Sequence, residues 1–270
     1  GYTFCRQTAS SAQDTYYAIG ILRFLDTKPR SVKKTITFLH GLNRQDGGFD
    51  SIKVAYYVLK TLNCLDSQSM KPTKWLEQTF YTIINGFTVS DIYIEAVSEI
   101  EDVHLAVELL NALDLTMNPS LIIKQISELQ NSDGSFGSGK RSRIASTYHA
   151  LAIFRILNHD DARTIHRALE WIRRCEAPSG GFVEEPDFLN TVFLEETYFG
   201  TKALSILDER PLHPKETLRL IAKFQNSNGG FRRSIFLGLS EFESTYQALS
   251  CIKTILGSVD KVMGKEKVQN

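Results

Sequence analysis

Two kinds of helical pattern alternate along the chain. In the first, apolar residues recur at three- and four-residue steps, which is typical of an amphipathic helix. These segments are SVKKTITFLHGL, PTKWLEQTFYTI, NPSLIIKQISELQ, RTIHRALEWIRRC and HPKETLRLIAKFQ. In the second, residues are apolar nearly all round, which is typical of a buried helix. These segments are DTYYAIGILRFL, VAYYVLKTLNCL, DVHLAVELLNAL, STYHALAIFRIL, ETYFGTKALSIL and STYQALSCIKTIL.

Glycine-rich loops join each amphipathic segment to the buried segment that follows it. Four of them carry a glycine-aromatic motif, namely QDGGFD, NSDGSFG, APSGGF and NSNGGF, and NGF is a shorter version. The first residues, GYTFCRQTASSAQ, resemble such a loop with no amphipathic helix before it. Glycine permits positive φ and close approach of two backbones. The repeated unit therefore predicts about six helical hairpins.

Aligning the six buried segments places one aromatic or histidine residue in a common column that recurs every 40 to 50 residues. The column is Tyr16, Tyr56, His104, Tyr148, Tyr198 and Tyr246. An open α-solenoid and a closed α/α toroid both satisfy the pattern, and the more buried helix set favours closure. We predict an all-α fold, an α/α toroid of about six helical hairpin repeats, with one domain at 1–260 and a polar C-terminal tail at 261–270.

The start of the chain leaves two possibilities for the ring. Either the chain is trimmed, or the ring closes with five outer helices. The balance of 31 Lys+Arg against 31 Asp+Glu provides no general attraction to nucleic acid. No apolar run reaches the roughly 20 residues that span a bilayer, and no signal-peptide core is found, so we expect a cytoplasmic protein. The four scattered cysteines are expected to be reduced.

The repeat resembles that of the prenyltransferase and squalene-cyclase family. The best matches are ISELQNSDGSFGSGKRSRIASTYHALAIFRIL and IAKFQNSNGGFRRSIFLGLSEFESTYQALSCIKTIL, and nearly the whole chain is covered. The resemblance implies an α/α toroid around a central apolar cavity. The chain is most similar to the β subunits of protein prenyltransferases. That similarity implies an isoprenoid diphosphate as ligand, zinc as cofactor and a helical partner subunit.

The resemblance also implies a zinc site. In those β subunits, Asp-x-Cys at the start of one inner helix and a histidine just after the tyrosine column of a later one hold the metal. Asp102 matches the Asp, His104 stands in the Cys position, and His149 matches the histidine. Such a set would leave one position of a tetrahedral zinc open for a thiolate or water.

A second alignment removes this site. The family's basic residues lie in the loop before Asp-x-Cys, whereas here that loop, TVSDIYIEAVSEIE, has no Lys or Arg. Aligning on the basic loop instead gives Ser146, Tyr148 and Phe199 at the metal positions. We favour the first alignment because it accounts for the one histidine in the tyrosine column. The alternative is that His104 and His149 are hydrogen-bonded residues of the interior.

Two basic clusters are candidates for binding diphosphate near helix N-termini. They are Lys140, Arg141 and Arg143, and Arg232 and Arg233. The tyrosines of the column are candidates for lining a lipid cavity. The alternatives are solvated loop charge for the first and packing between repeats for the second.

The leading functional hypothesis is a prenyltransferase β-subunit-like protein that transfers a prenyl group to a metal-activated thiol. A non-catalytic toroid that binds a lipid or a peptide is the alternative. A terpene cyclase is third, because no DxDD motif is present and the pair Asp160–Asp161 lies in a turn.

Overall fold

The computed structural model describes residues 1–3, 9–67, 70–86, 96–186 and 192–266, and their side chains as far as residue 257. This part of the chain forms eleven α-helices and no β-strand, which confirms the predicted all-α class. The buried segments form α1 (Ala12–Phe24), α3 (Ile52–Cys64), α5 (Glu101–Ala112), α7 (Arg143–Ile156), α9 (Leu194–Ile206) and α11 (Phe242–Glu266). The amphipathic segments form α2 (Val32–His40), α4 (Thr73–Asn85), α6 (Pro119–Ser127), α8 (Ala162–Arg174) and α10 (Pro214–Lys223).

The six odd-numbered helices form a closed inner ring. Each packs against the preceding and the following inner helix, and α11 packs against α1. At this last seam a Cβ on Gly20 would lie 2.6 Å from the ring of Tyr246, so a side chain there would force the two helices apart. The predicted α/α toroid is confirmed, and five outer helices surround the ring in the described part of the chain.

The outer helices cover the inner ring with one apolar stripe each. On α8, the buried side chains are Ala168, Trp171 and Ile172, at the spacing of one helix face. On the inner helix α5, by contrast, eight of the 12 residues are buried. This difference explains the two sequence patterns, because an inner helix contacts protein on nearly every side.

Four of the glycine-aromatic loops are each tied to the inner helix after them by one hydrogen bond, whereas in the loop at Phe49 the equivalent helix residue is Ala55, which has no hydroxyl group. The backbone N–H of the aromatic residue donates to the threonine just before the tyrosine column. The pairs are Tyr2 to Thr15 at 2.9 Å, Phe136 to Thr147 at 3.1 Å, Phe182 to Thr197 at 3.4 Å and Phe231 to Thr245 at 3.0 Å. The bond fixes the level at which these four inner helices start, so that their equivalent residues meet in the middle of the ring.

Five of the inner helices end in the same way, a feature that the sequence analysis did not identify. The residue after the C-cap leucine adopts φ between +49° and +57°. These residues are Asp26, Asp66, Asp114, Asn158 and Asp208. The following N–H bonds a carbonyl five residues back, as in Thr27 to Leu22 at 2.8 Å, which is a Schellman-type end.

The helix α11 has no such end and continues to Glu266. Residues 261–266, which we predicted to be part of a polar tail, are therefore helical, and 267–270 lie outside the described residues. The reason is local, since no proline or left-handed Asp/Asn residue interrupts the helix after Leu256.

In the described part of the chain, no helix combines the length and the apolar character needed to cross a bilayer. Cys64, Cys175 and Cys251 are free thiols, whereas Cys5 lies outside the described residues.

Candidate active site in the centre of the ring

The tyrosine column meets in the middle of the toroid. Its five tyrosines and His104 all line one central cavity of about 80 Å³. The ring centroid of Tyr16 lies 5.7 Å from that of Tyr246 and 6.0 Å from that of Tyr56. The ring centroids of His104 and Tyr148 are 5.7 Å apart. The structure thus places the predicted cavity-lining residues together, because each occupies the same level of its inner helix. They are Tyr16, Tyr56, Tyr148, Tyr198 and Tyr246.

Several further residues line the cavity that were not predicted from the sequence to do so. Most of them directly follow the column residue in sequence, so the doublets Tyr16–Tyr17 and Tyr56–Tyr57 were an available signal. Glu243 lies three positions before Tyr246 and so on the same helix face. The additional lining residues are Tyr17, Tyr57, Leu105, His149, Phe199, Glu243 and Gln247.

Aromatic rings fill most of the centre. A cavity of about 80 Å³ is smaller than the roughly 150 Å³ that accommodates benzene in a protein core, and far below the about 300 Å³ where pockets for small ligands begin. Room for a prenyl chain therefore requires tyrosine side chains to turn away from the axis.

Glu243 presents a carboxyl group to this cavity from the first turn of α11. Tyr17 on α1 donates its hydroxyl to one carboxyl oxygen at 2.9 Å, and Gln13 donates its amide to the other at 3.3 Å. Burial raises the pKa of Glu243 to about 7, with Glu195 and Glu101 adding negative charge nearby. Glu243 therefore retains its proton at a higher pH than an exposed glutamate does.

Two buried histidines lie across the interface of α5 and α7. Nδ1 of His104 and Nδ1 of His149 are 2.9 Å apart. Burial lowers the pKa of His104 to about 4 and that of His149 well below its ordinary value, so both rings are neutral at pH 7. His104 Nε2 lies 3.8 Å from Oε2 of Glu108, and this oxygen also accepts the Tyr56 hydroxyl at 2.9 Å. The other carboxyl oxygen of Glu108, Oε1, pairs with Lys60.

The structure brings together two of the three predicted zinc ligands. Asp102 lies apart from the histidines and lines a different pocket with Lys53 and Trp75, between α3 and α4. Its pKa is raised to about 6, chiefly by burial and then by Glu101. Across the described residues, no group of three His, Cys, Asp or Glu side chains is arranged to hold a metal ion. Two imidazole nitrogens without a third donor do not fit zinc, which takes three or four protein ligands.

The first basic cluster is used within the repeat. Arg143 pairs with Asp133 at 2.5 Å and stacks over the ring of Trp171 at 5.4 Å, which ties the glycine loop to α8. The guanidinium of Arg141 donates to the carbonyl of Ala96, and Lys140 is exposed. None of the three cations lines the central cavity.

The second basic cluster lies beside the start of α9. Arg232 donates to the carbonyl of Ile235 at 2.9 Å, and Arg233 pairs with Glu195 at 2.6 Å. The structure therefore does not bring the two clusters to a shared site on the cavity.

Carboxyl groups gather where inner helices begin. The first turns of α5 and α9 carry Glu101, Asp102, Glu195 and Glu196. Burial raises the pKa of Glu195, with Arg233 opposing, and burial also raises the pKa of Glu196. Lys53 pairs with Glu101 at 3.0 Å and Arg233 with Glu195 at 2.6 Å, so part of this negative charge is compensated, and the remainder disfavours an anionic ligand.

A comparison with protein families gives a match over nearly the whole chain. The model of the prenyltransferase alpha-alpha toroid domain matches residues 1–55, 50–190 and 189–269. The chain belongs to this family. No curated protein matches the chain.

Several solved structures resemble this chain in fold. The type II terpene cyclase MstE from Scytonema, bound to geranylgeranyl dihydroxybenzoate, superposes with a TM-score of 0.59 at 12% identity, covering 94% of this chain and 90% of that one. Its ligand-free form gives 0.57 at 12% identity, covering 95% and 90%. Candida albicans protein geranylgeranyltransferase-I, complexed with GGPP, gives 0.48 at 14% identity, covering 92% of each chain. At these identities the likeness shows the fold alone.

Proposed function

We propose that the central cavity binds an isoprenoid and that the Glu243 carboxyl group starts a cyclase-type reaction by giving it a proton. The observation that carries this proposal is a carboxyl group that aromatic side chains surround and Tyr17 orients at 2.9 Å. A carboxyl in an apolar site retains its proton at a pH at which an exposed one has lost it. Solved structures with isoprenoid-bound toroids support the ligand class.

The chemistry conserves every proton. The Glu243 O–H bond breaks, and the proton adds to one carbon of a prenyl double bond, whose π electrons form the new C–H bond. The positive charge left on the neighbouring carbon is attacked by a second double bond, which closes a ring. The cyclised cation then loses a proton from a neighbouring carbon to water, which leaves a double bond, and the hydronium ion so formed returns a proton to Glu243. Tyrosine faces around the cavity stabilise the cation, because an aromatic face attracts positive charge.

Prenyl transfer from a diphosphate to a thiol has less support. It needs cations at the diphosphate and a metal at the thiol. The five predicted diphosphate-binding side chains do not line the cavity, and the start of the inner ring is rich in carboxyl groups. We therefore place the cyclase-type reaction ahead of the transferase.

A non-catalytic toroid is the second candidate, and the cavity volume favours it. At about 80 Å³, the centre is nearly filled by its own side chains, as expected if the rings serve mainly to pack the repeats. In that case Glu243 and the tyrosines stabilise the ring, and a lipid or peptide binds elsewhere or after the rings move.

Incubation in heavy water separates these functions. Wild-type protein is incubated in D₂O with geranylgeraniol or geranylgeranyl dihydroxybenzoate, and in parallel with geranylgeranyl diphosphate plus a cysteine peptide. The products are analysed by mass spectrometry. We expect a cyclised product carrying one carbon-bound deuterium, at least about 100-fold less product with Glu243→Gln, and near wild-type yield with Glu196→Gln. Glu196 is the matched control because it is a buried glutamate in the first turn of an inner helix, does not line the cavity and does not contribute to the raised pKa of Glu243.

The other outcomes identify the competing functions. A thioether without carbon-bound deuterium would support the transferase. Binding without any product would support the non-catalytic toroid.

A further inference from the structure

One nitrogen in the central cavity has no hydrogen-bond partner. Nε2 of His149 is fully buried, and no described protein group donates to it or accepts from it. The side chain lines the cavity, between the rings of Tyr148 at 5.0 Å and Phe199 at 5.6 Å. An unpaired buried polar atom costs about 1–3 kcal/mol, so such an atom indicates a partner that is not part of the protein.

The groups around His104 and His149 determine which nitrogen of each imidazole carries the proton, beginning with His104. The carboxylate of Glu108 lies 3.8 Å from His104 Nε2 and repels a lone pair there, which favours a proton on that nitrogen. Burial opposes the charge on Glu108, but the ammonium of Lys60 and the hydrogen bonds from Lys60 and Tyr56 outweigh it and lower the pKa of this carboxyl, so Glu108 is ionised. A neutral His104 with Nε2–H has a bare Nδ1.

The 2.9 Å contact between the two Nδ1 atoms makes the tautomer of His149 depend on that of His104. Two nitrogens at that distance need one hydrogen between them. Because Nδ1 of His104 is bare, Nδ1 of His149 must carry the proton and donate it. A neutral His149 with Nδ1–H has a bare Nε2. The cavity therefore contains an acceptor that cannot donate.

We infer that His149 Nε2 is the hydrogen-bond acceptor of the central cavity, with its lone pair fixed by Glu108 through His104, and that it takes a hydroxyl group of the ligand. A ligand with an O–H donor, such as a prenyl alcohol or phenol, fits this atom, and a hydrocarbon leaves it unpaired. That the ligand is an isoprenoid rests on the proposed function. The tautomer assignment does not.

Nitrogen NMR tests the tautomers without any ligand. Protein with ¹⁵N-labelled histidine is recorded at pH 7, with His104→Gln and His149→Gln used to assign the signals. We expect His149 with a protonated Nδ1 and an unprotonated Nε2, and His104 with the reverse. A protonated Nε2 on His149 would overturn the inference.

A pair of α5 variants tests the role of Glu108. Glu108 and Glu101 are both paired with a lysine on α3, but only Glu108 faces His104. Glu108→Gln should raise the population of the opposite tautomer of His149, and Glu101→Gln should leave it unchanged. Equal spectra for the two variants would remove Glu108 from the inference.

Ligand binding tests the acceptor itself. Affinities are measured for geraniol and for the hydrocarbon of the same skeleton. His149→Asn keeps a donor at the Nδ1 position and lacks the distal acceptor, whereas His149→Gln keeps an acceptor near Nε2. We expect wild type and His149→Gln to prefer the alcohol by about three- to tenfold and His149→Asn to lose the preference.

The two kinds of failure are distinguishable. An unchanged preference in His149→Asn would overturn the acceptor. If neither compound binds wild-type protein, the proposed isoprenoid function fails, and the NMR result still decides the tautomers.

Discussion

At the scale of single residues, burial decides the chemistry of the centre. It raises the pKa of Glu243 to about 7 and lowers that of His104 to about 4, so the acid retains its proton and the bases remain neutral over a shared pH range. Groups of opposite character that line one cavity are typical of acid–base sites. The hydrogen bond from Tyr17 holds the acid in position.

The raised pKa of Glu243 predicts how stability depends on pH. The ordinary value of this carboxyl is 4.5 and its folded value about 7, so the folded state binds more protons between them. Its contribution to the free energy of unfolding is therefore greatest below about pH 4.5 and falls as the pH rises to about 7. Because glutamine mimics the protonated form, Glu243→Gln should gain about 2 kcal/mol relative to wild type between pH 5 and pH 8.

Denaturant unfolding at several pH values checks this prediction. Glu170→Gln, on the exposed face of α8, is the control and should follow wild type. A Glu243→Gln curve parallel to that of wild type would show that the carboxyl titrates as it does in water.

Much of the site could be predicted from the sequence. The rest could not, because it depends on which side of its helix each residue faces. The tyrosine column was predictable because the repeat places equivalent residues at one level. His104 and His149 meet because they lie on neighbouring inner helices at that level. Asp102 does not join them, since residues i and i+2 face different sides of a helix, and it contacts the α3–α4 side instead. Glu243 was missed because it belongs to no DxDD motif.

At the scale of elements, the glycine loops set the positions of the inner helices α3, α7, α9 and α11. Gly47, Gly134, Gly180 and Gly229 occupy the same place in the motif and have φ between +82° and +99°. Their surroundings differ, however. A Cβ on Gly47 would meet nothing within 4 Å, whereas a Cβ on Gly180 would overlap the main chain of α10 at Glu216.

Two alanine variants separate the backbone effect from the packing effect. Gly47→Ala should destabilise the protein by about 1–2 kcal/mol, the cost of a left-handed L-residue. Gly180→Ala should cost about 1–3 kcal/mol more, because overpacking is added. Chemical denaturation provides both values, and equal losses would show that the loop at Gly180 is not held against α10.

The fold of these elements was largely predictable, and the helix ends were not. Amphipathic and buried patterns located all eleven helices of the described residues, because apolar periodicity reflects burial directly. The length of α11 was not predicted, because residues 261–266 are polar, which favours a tail. They are helical, since no helix-ending residue precedes them.

At the scale of the whole molecule, closure of the ring creates the site. The carboxyl of Glu243 on α11 meets the hydroxyl of Tyr17 on α1 only because the last inner helix packs on the first. The contact of Gly20 with Tyr246 lies in the same seam. In an open solenoid, the first turn of α11 would be exposed to water and its carboxyl would titrate normally.

The pH titration of Glu243 therefore tests closure and chemistry together. Protein with ¹³C-labelled glutamate carboxyls is followed by NMR from pH 3 to pH 9, with Glu243→Gln to assign the signal. We predict a midpoint near 7 for Glu243. A midpoint at its ordinary value of 4.5 would contradict both a buried acid and the closed ring that buries it.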